Sequence, residues 1–260
     1  MKIKEIVMIG SGNLATNLAL ALYESHKTIV CVYSRTLENA KTLAERCDCR
    51  YTNRLEEIPK TADLYIIAVN DSSIKEISEG LSNLNGIIVH TSGTIPITVF
   101  SDQINNHGVF YPLMTFSKYK KVNFTDIPIC LEANSVRAII ALHKLANTIS
   151  NNALEISSER RKMLHLAAVF ACNFTNLNYS ISDDILQKNQ LSFHLLKPLI
   201  IEMTRNTFLR KPTENQTGPA FREDIETLQT QNELLKSFPE YLEMYNLLSK
   251  LIISTKHKND

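Results

Sequence analysis

The chain lacks tryptophan, a marked excess of charge of either sign, and any long apolar run. Its 28 basic and 27 acidic residues leave a formal net charge of +1, which is too little for a general attraction to nucleic acid. No stretch approaches the roughly 18 uninterrupted apolar residues that cross a bilayer, and the first residues lack the apolar core of a secretory signal. We therefore expect a cytoplasmic protein that binds neither nucleic acid nor a membrane.

Cysteine is also sparse, and its placement argues against a metal site. The five cysteines are odd in number and scattered, namely Cys31, Cys47, Cys49, Cys130 and Cys172. The close pair Cys47 and Cys49 has no second pair to complete the tetrahedral set of ligands that zinc requires. We expect reduced thiols and no bound metal.

Two different periodicities divide the chain near Ser157. Before it, short β-rich runs alternate with helical stretches, as in βαβ units with right-handed crossovers. After it, apolar residues recur at three- and four-residue spacing, which is typical of amphipathic helices. We therefore predict an α/β fold, with a Rossmann-like, mostly parallel sheet in residues 1–157 and an all-α domain in residues 158–260.

The same patterns place the individual elements. The strands are expected at 3–9, 28–33, 64–69, 86–89, 108–111, 127–132 and 153–156. The helices are expected at 14–25 and 37–46 in the first domain, and at 159–181, 192–209, 221–237 and 239–254 in the second. Pro198 either kinks the second of these four C-terminal helices or marks its true start.

A glycine-rich turn follows the first strand and opens the first helix. It reads Gly10, Ser11, Gly12, Asn13, Leu14, Ala15. Gly10 allows the tight turn, Gly12 lets a pyrophosphate approach the backbone, and Ala15 lets the helix pack close to the strand. The N–H groups and positive dipole end of the helix would then face the phosphates. The turn predicts dinucleotide binding by its first five residues.

The end of the second strand distinguishes NADP from NAD. An acidic residue there normally binds the ribose 2′-hydroxyl of NAD and repels a 2′-phosphate. Here the positions are Ser34, Arg35 and Thr36, so a guanidinium and two hydroxyl groups are available for a phosphate instead. We predict NADP as the cofactor, bound in part by these three residues. The alternative is that Arg35 is only a solvated surface residue.

Two further strand ends belong to the carboxyl edge, where open α/β sheets bind ligands. Val69 and Asn70 end the third predicted strand, and Thr91 and Ser92 follow the fourth. We expect these four residues to line the cofactor. Asp71 is expected to cap the helix that begins near residue 72.

The first candidate for proton transfer lies on the first C-terminal helix. His165 and Asn173 are eight positions apart, and Asn176 follows on the same face of an otherwise apolar segment. Histidine suits proton transfer because its unperturbed pKa lies near neutral pH, and the two amides could orient a substrate. His90, just after the fourth strand, is a second candidate. The alternative is that the polar groups form a packing network.

The segment 216–224 contributes a candidate for substrate binding. A Gly-Pro pair breaks the chain there, and Arg222 lies near the start of the helix that follows. Its guanidinium could hold a substrate carboxylate in a bidentate pair. An ion pair with Asp224 or with the other domain is an equally open interpretation.

Several of these motifs resemble a known family. The N-terminal domain resembles the superfamily of β-hydroxyacid dehydrogenases and pyrroline-5-carboxylate reductases, whose members share such a turn, a basic second-strand end and a helical second domain. Residues 90–93, 110–117 and 216–224 more specifically resemble a bacterial family of candidate NADP oxidoreductases. That family pairs a Rossmann-like domain with a C-terminal domain of unknown function, and the resemblance covers nearly the whole chain.

The resemblance implies NADP, a 6-phosphogluconate dehydrogenase-like helical domain, and a homodimer formed through that domain. Hydroxyacid dehydrogenases of the superfamily use a catalytic Lys with an Asn one turn later, whereas the corresponding helix here carries His165. We expect an oxidoreductase that transfers a hydride between NADP(H) and a small carbonyl, hydroxy or imine compound in the cleft between the domains. A non-catalytic NADP-binding and dimerisation module, and use of a deazaflavin coenzyme, are the alternatives.

Overall fold

The computed structural model describes residues 2–259, and side chains as far as residue 257. The chain divides into two compact units, the first ending at Phe170 and the second beginning at Ala171. This division lies one helix later than the change of periodicity at Ser157, because the helix Ser158–Ala168 belongs to the first unit.

The first unit is built on one eight-stranded sheet. Its strands are β1 Glu5–Ile9, β2 Thr28–Tyr33, β3 Arg50–Thr52, β4 Leu64–Ile67, β5 Ile87–His90, β6 His107–Pro112, β7 Ile129–Ala133 and β8 Ala153–Glu155. They lie in the order β3-β2-β1-β4-β5-β6-β7-β8, and every neighbouring pair is parallel except β6 and β7. The predicted Rossmann-like, mostly parallel sheet is confirmed.

Helices connect the strands and make up the second unit. The first unit contains α1 Asn13–Glu24, α2 Leu37–Arg46, α3 Ile74–Glu79, α4 Val136–Ala146 and α5 Ser158–Ala168. The second unit contains α6 Thr175–Lys188, α7 Lys197–Leu209, α8 Pro219–Arg222, α9 Ile225–Leu235 and α10 Pro239–Asn259. No strand occurs in the described part of the second unit, so the predicted all-helical C-terminal region is also confirmed.

The central strands are buried on both faces. Because successive side chains of a strand alternate between faces, β1 supplies Ile6 and Met8 to one core and Val7 and Ile9 to the other. Burial on both sides explains why these strands are continuous apolar runs rather than alternating patterns. Ligand-binding groups must therefore come from the strand ends.

The order of the strands reverses at β1. The chain first moves outward to β2 and β3 and then returns to β4 on the other side of β1. In open α/β sheets, ligands bind outside the carboxyl ends of the strands at such a reversal. The glycine-rich turn leaves β1 at this point, so the topology places the predicted phosphate-binding residues where a ligand is expected.

The first C-terminal helix is less regular than predicted. It continues to Lys188 rather than residue 181, and residues Val169–Phe174 form a π-helical turn between α5 and α6. Pro198 lies in the first turn of α7, so it starts that helix and does not kink it. None of the helices in the described chain could serve as a membrane span.

The helix predicted at 221–237 is wrong at its N-terminal end. Helix α8 stops at Arg222, and α9 begins only at Ile225. The cause is Glu223, whose φ of 58° is left-handed and cannot continue an α-helix. Asp224 then caps α9 by accepting a hydrogen bond from the Thr227 amide at 3.1 Å.

Candidate functional site

Gly10 joins the first strand to the phosphate-binding turn in a conformation that requires glycine. Its φ is +123°, and its amide donates a hydrogen bond to the carbonyl of Tyr33 at 2.8 Å. A Cβ atom at this position would lie 2.0 Å from the carbonyl oxygen of Ala68. The glycine therefore permits the close approach of the turn to the neighbouring strand ends.

Gly12 has a different role from Gly10. It precedes α1 with an ordinary φ of −74°, and a Cβ atom there would meet nothing within 4 Å. Protein packing therefore gives no reason for a glycine at this position. The open space lies at a helix N-terminus that has no side-chain cap, which fits a site for an anionic pyrophosphate.

The residues at the end of β2 face the same turn. The Ser11 hydroxyl donates a hydrogen bond to the Ser34 hydroxyl at 2.8 Å, which links the two predicted phosphate-binding segments. Arg35 follows and is exposed, so its guanidinium is accessible to a phosphate. Thr36 is the N-terminal flanking residue of α2, and its side chain makes no capping hydrogen bond.

A cleft of about 350 Å³ runs across the carboxyl ends of the strands. Its wall includes eleven of the twelve residues predicted to bind the cofactor, namely Gly10, Ser11, Gly12, Asn13, Leu14, Ser34, Arg35, Val69, Asn70, Thr91 and Ser92. Thr36 is the one predicted residue that is not part of this wall. The open space at Gly12, the close approach at Gly10 and the basic Arg35 together fit a dinucleotide that carries a 2′-phosphate.

Asn13 lies in the cleft wall, and its side-chain oxygen also holds a neighbouring loop. Its Oδ1 accepts a hydrogen bond from the Lys118 amide at 3.1 Å. One turn later on α1, the Asn17 amide group donates to the carbonyl of Ser117 at 3.0 Å. These two bonds hold the loop after β6 against α1, and they leave the side-chain NH₂ group of Asn13 as a donor for a cofactor.

The prediction that Asp71 caps a helix is wrong. Its carboxylate accepts a short hydrogen bond of 2.5 Å from the Thr94 hydroxyl, and Ser73 is the residue that flanks α3. The Thr94 amide in turn donates to the Ser92 hydroxyl at 3.1 Å. The bond between Asp71 and Thr94 therefore ties the loop after β4 to the loop after β5.

The loop after β5 connects the cleft to a histidine. Thr91 and Ser92 lie in the cleft wall, and the next residue, Gly93, lies under the imidazole of His165. A Cβ atom on Gly93 would be 2.6 Å from His165 Nδ1, so only glycine leaves room for this contact. The predicted proton-transfer residue is therefore adjacent to a loop that lines the cofactor cleft.

His90, the second candidate for proton transfer, is fully buried. Its Nδ1 accepts a hydrogen bond from the Ser92 amide at 3.2 Å, and its ring stacks on Phe100. Burial and, to a smaller extent, the Arg161 guanidinium lower the pKa of His90 to about 3. His90 is thus neutral near physiological pH and shapes the loop, which leaves His165 as the better candidate.

His165 has one polar partner among the described residues, the hydroxyl of Tyr111. The Tyr111 oxygen lies 2.9 Å from His165 Nδ1, and the two rings meet edge-on with their centroids 6.0 Å apart. Tyr111 lies in β6 and is 8% exposed. Strand β6, the loop after β5 and helix α5 thus meet at the imidazole of His165.

A buried ion pair fixes helix α5, which carries His165. Arg161, one turn before His165, is fully buried and forms a 2.5 Å ion pair with Glu132 at the end of β7. The other terminal nitrogen of Arg161 donates to the carbonyl of Ile95 at 2.6 Å. Ser158 donates its amide and hydroxyl to the same Glu132 carboxylate, at 3.0 and 2.7 Å. The start of α5 is thus held to both β7 and the loop after β5.

Sequence reasoning missed three residues of this arrangement, namely Tyr111, Glu132 and Arg161. Arg161 is one of three consecutive basic residues at 160–162, a pattern that is typical of a solvated helix face. Tyr111 could have been found, since it lies at the end of a predicted strand and inside the segment 110–117.

The remaining predicted catalytic residues lie in the second unit and are exposed. Asn173 is part of the π-helical turn, Asn176 lies in the first turn of α6, and Arg222 ends α8. The carboxylate of Asp224 accepts hydrogen bonds from the Thr227 amide and hydroxyl. The roles of Asn173, Asn176 and Arg222 in substrate binding stay predictions.

Two protein families match successive parts of the chain, and the boundary between the two matches lies within the first unit of the fold. Residues 5–91 match a family described as NADP oxidoreductase, coenzyme F420-dependent. Residues 127–252 match a domain of unknown function, DUF2520. No curated protein sequence matches the chain.

Solved structures with this architecture include one of high sequence similarity. A candidate NADP oxidoreductase from Bacteroides fragilis is 42% identical, with a TM-score of 0.92 over 97% of this chain and 98% of that one. A protein from Thermotoga maritima is 24% identical, with a TM-score of 0.70 over 98% and 99% of the two chains. A reductive aminase from Aspergillus terreus, solved with NADPH and ethyl levulinate, is 13% identical, with a TM-score of 0.74 over 99% and 95%.

The last two similarities establish the fold alone, whereas the first establishes the family. The predicted family, with its Rossmann-like domain and its C-terminal domain of unknown function, is confirmed, and so is NADP as the cofactor. The chain belongs to the NADP oxidoreductase family whose members join a coenzyme F420-dependent-type NADP oxidoreductase domain to a DUF2520 domain.

Proposed function

We propose that this protein reduces a small carbonyl or imine compound with NADPH, or oxidises the corresponding hydroxy compound or amine with NADP+, and that His165 exchanges the proton. The observation that carries the proposal is the loop after β5. Its residues Thr91 and Ser92 line the dinucleotide cleft, and the adjacent Gly93 contacts the ring of His165. A titratable side chain therefore lies beside the cleft, as proton transfer coupled to hydride transfer requires.

In this proposal, different segments of the cleft wall bind different parts of the dinucleotide. The turn around Gly12 would hold the pyrophosphate, and Ser34 and Arg35 would bind the 2′-phosphate of the adenosine. When bound, NADP(H) supplies or accepts the hydride. The chain itself orients the dinucleotide and provides the proton at His165. Asn173, Asn176 and Arg222 are proposed to orient the substrate, Arg222 by pairing with a carboxylate.

The first test is a binding titration of NADPH and NADH, with Arg35→Ala as the variant. We expect NADPH to bind more tightly to the wild type. The variant should lose about 1.5–3 kcal/mol of NADPH binding, because a charge-assisted hydrogen bond to the 2′-phosphate disappears. This loss corresponds to a roughly 10- to 150-fold weaker Kd. Its affinity for NADH, which lacks that phosphate, should not change.

Arg137→Ala is the matched control. Arg137 is an exposed arginine in the first turn of α4, outside the cleft wall, so its removal should leave both affinities unchanged. Absence of binding to either nucleotide would contradict the proposed function. NADPH binding without turnover of any carbonyl, hydroxy or imine compound would instead favour a non-catalytic module.

We also propose a homodimer formed through the second unit. Helix α7 is described in full and has no buried residue, although several of its side chains are large and apolar. The exposed apolar side chains are Leu199, Ile201, Met203, Phe208 and Leu209, and Phe208 is 84% exposed. A surface of this kind indicates a protein contact, and a second copy with twofold symmetry is the commonest partner.

Glutamate substitutions on α7 test the dimer. The wild type should elute with twice the mass of one chain in size-exclusion chromatography with light scattering. The double variant Leu199→Glu/Phe208→Glu should elute with the mass of a single chain, because two buried unpaired charges cannot be accommodated in the contact. Val136→Glu, at an exposed apolar position of α4 in the first unit, is the control and should remain dimeric. A monomeric wild type would refute the dimer.

A further inference from the structure

The hydrogen bond between Tyr111 and His165 has a direction that the surroundings determine. Tyr111 is almost completely buried, and burial raises the pKa of its hydroxyl to about 12. The hydroxyl therefore keeps its proton near neutral pH and needs an acceptor. His165 Nδ1, at 2.9 Å, is its one hydrogen-bond partner among the described residues.

This direction fixes the tautomer of His165. A ring nitrogen that accepts a hydrogen bond carries no proton, so in the neutral imidazole the proton is on Nε2. The ring cannot easily turn away, because it is packed on Gly93 and belongs to a helix clamped by the buried ion pair of Arg161 and Glu132. The neutral imidazole thus has an N–H donor at Nε2, while its Nδ1 accepts a hydrogen bond from the Tyr111 hydroxyl.

We propose that Tyr111 and His165 act together as a proton relay for a carbonyl substrate, a proposal that rests on the function assigned above. As the hydride adds to the carbonyl carbon, the C=O π electrons move to the oxygen. The oxygen takes the proton of His165 Nε2, and Nδ1 takes the proton of the Tyr111 hydroxyl, which becomes a phenolate.

The relay leaves a neutral imidazole with its proton on Nδ1, hydrogen-bonded to the phenolate. A proton from water to Nε2, and return of the Nδ1 proton to the Tyr111 oxygen, restore the starting state. Burial, Cys130 and Asp71 raise the pKa of the Tyr111 hydroxyl, and the positive charge of Arg161 opposes them.

The chemistry of the relay favours a carbonyl over an imine. Both donors are neutral and weakly acidic, which suffices for an alkoxide because it is a strong base. An imine nitrogen has to be protonated before it accepts a hydride, and the resulting cation needs an anionic group beside it. Glu132 is paired with Arg161, and among the described residues no carboxylate hydrogen-bonds to Tyr111 or His165, so the donor pair itself brings no negative charge to such a cation.

Nitrogen NMR of 15N-histidine-labelled protein tests the relay without a substrate. At mildly alkaline pH, His165 should show an unprotonated Nδ1 and a protonated Nε2, the tautomer that accepts a hydrogen bond from Tyr111. The His165→Asn variant identifies the signal by its disappearance. Tyr111→Phe should abolish the single tautomer, so that both nitrogens show averaged shifts. Tyr119→Phe, which alters a tyrosine that is 89% exposed, should leave the signal unchanged.

Two results of this experiment would overturn the relay. One is a proton on Nδ1 in the wild type, and the other is an identical signal in Tyr111→Phe. Both can be read in the absence of nucleotide. Failure of the relay is therefore distinguishable from failure of the proposed function, which appears as loss of NADPH binding.

A comparison of carbonyl compounds with imines as substrates tests the proposed preference for carbonyls. A panel of ketones and aldehydes is offered with NADPH beside the imines of the same carbon skeletons, and nucleotide oxidation is followed. We expect reduction of the carbonyl member and a kcat at least about 10-fold lower in Tyr111→Phe, with a smaller change in KM, since proton transfer contributes about 10²–10⁴-fold to such reactions. Reduction of the imines alone, or of neither member, overturns the assignment to carbonyls.

Discussion

The Glu132→Gln variant is expected to lose about 3–5 kcal/mol of unfolding free energy in the first unit, because it leaves Arg161 buried without a counter-charge. The side chain of Arg161 is 0% exposed and that of Glu132 is 17% exposed. Because Arg161 has no exposed side-chain surface, water does not solvate its charge, and Ser158 would also lose the charged acceptor of its amide and hydroxyl. Because the chain has no tryptophan and nine tyrosines, denaturant unfolding is best followed by circular dichroism and tyrosine fluorescence.

An exposed ion pair provides the control for this experiment. Glu24 and Lys121 are 2.8 Å apart but 51% and 74% exposed, so Glu24→Gln should cost at most about 1 kcal/mol. The double variant Glu132→Gln/Arg161→Met should recover part of the loss, since no charge is then left buried. A cost of Glu132→Gln no larger than that of Glu24→Gln would show that the buried pair does not hold α5 in place.

In the phosphate-binding turn, substitution by alanine should destabilise the protein strongly at Gly10 but little at Gly12. Gly10→Ala should cost about 2–6 kcal/mol of unfolding free energy, the sum of ~1–3 for a strained positive φ and ~1–3 for the clash with the Ala68 carbonyl. Gly12→Ala should change stability by less than about 1 kcal/mol, because its φ is ordinary and its Cβ meets no protein atom.

The Gly12→Ala variant should show its main effect in dinucleotide binding. The methyl group of Gly12→Ala would project into the space that the pyrophosphate needs, so NADPH affinity should fall by roughly 5- to 150-fold for an overlap that costs ~1–3 kcal/mol. Thermal unfolding and nucleotide titration of both variants give the comparison. A well-folded Gly12→Ala with wild-type affinity would place the pyrophosphate elsewhere.

Local patterns in the sequence predict most of the first unit. Strand β2 and helix α2 begin and end at the predicted residues, because each has a clear apolar pattern bounded by polar residues. Strand β3, Arg50–Thr52, is not predicted, since three residues at the edge of the sheet carry too little pattern. The π-helical turn at Val169–Phe174 is likewise invisible, because its residues would also fit a regular helix.

In the candidate site too, local motifs can be predicted from the sequence, whereas contacts between distant residues cannot. The turn at Gly10–Gly12 and the basic Arg35 are local motifs, and the sequence predicts their place in the cleft wall. The contact between Tyr111 and His165 joins residues 54 positions apart, and no local pattern records which strand end lies under which helix. The pairing of Glu132 with Arg161 depends in the same way on tertiary structure, so only the fold reveals it.

If the proposed dimer forms through helix α7, the stability of the second unit depends on protein concentration. An isolated helix of 13 residues is marginal in water, and α7 buries none of its side chains within the single chain. In the proposed dimer, the free energy that orders this helix comes from the second copy. By mass action, dilution then acts on the second unit as a denaturant does, and the midpoint of its thermal unfolding depends on protein concentration.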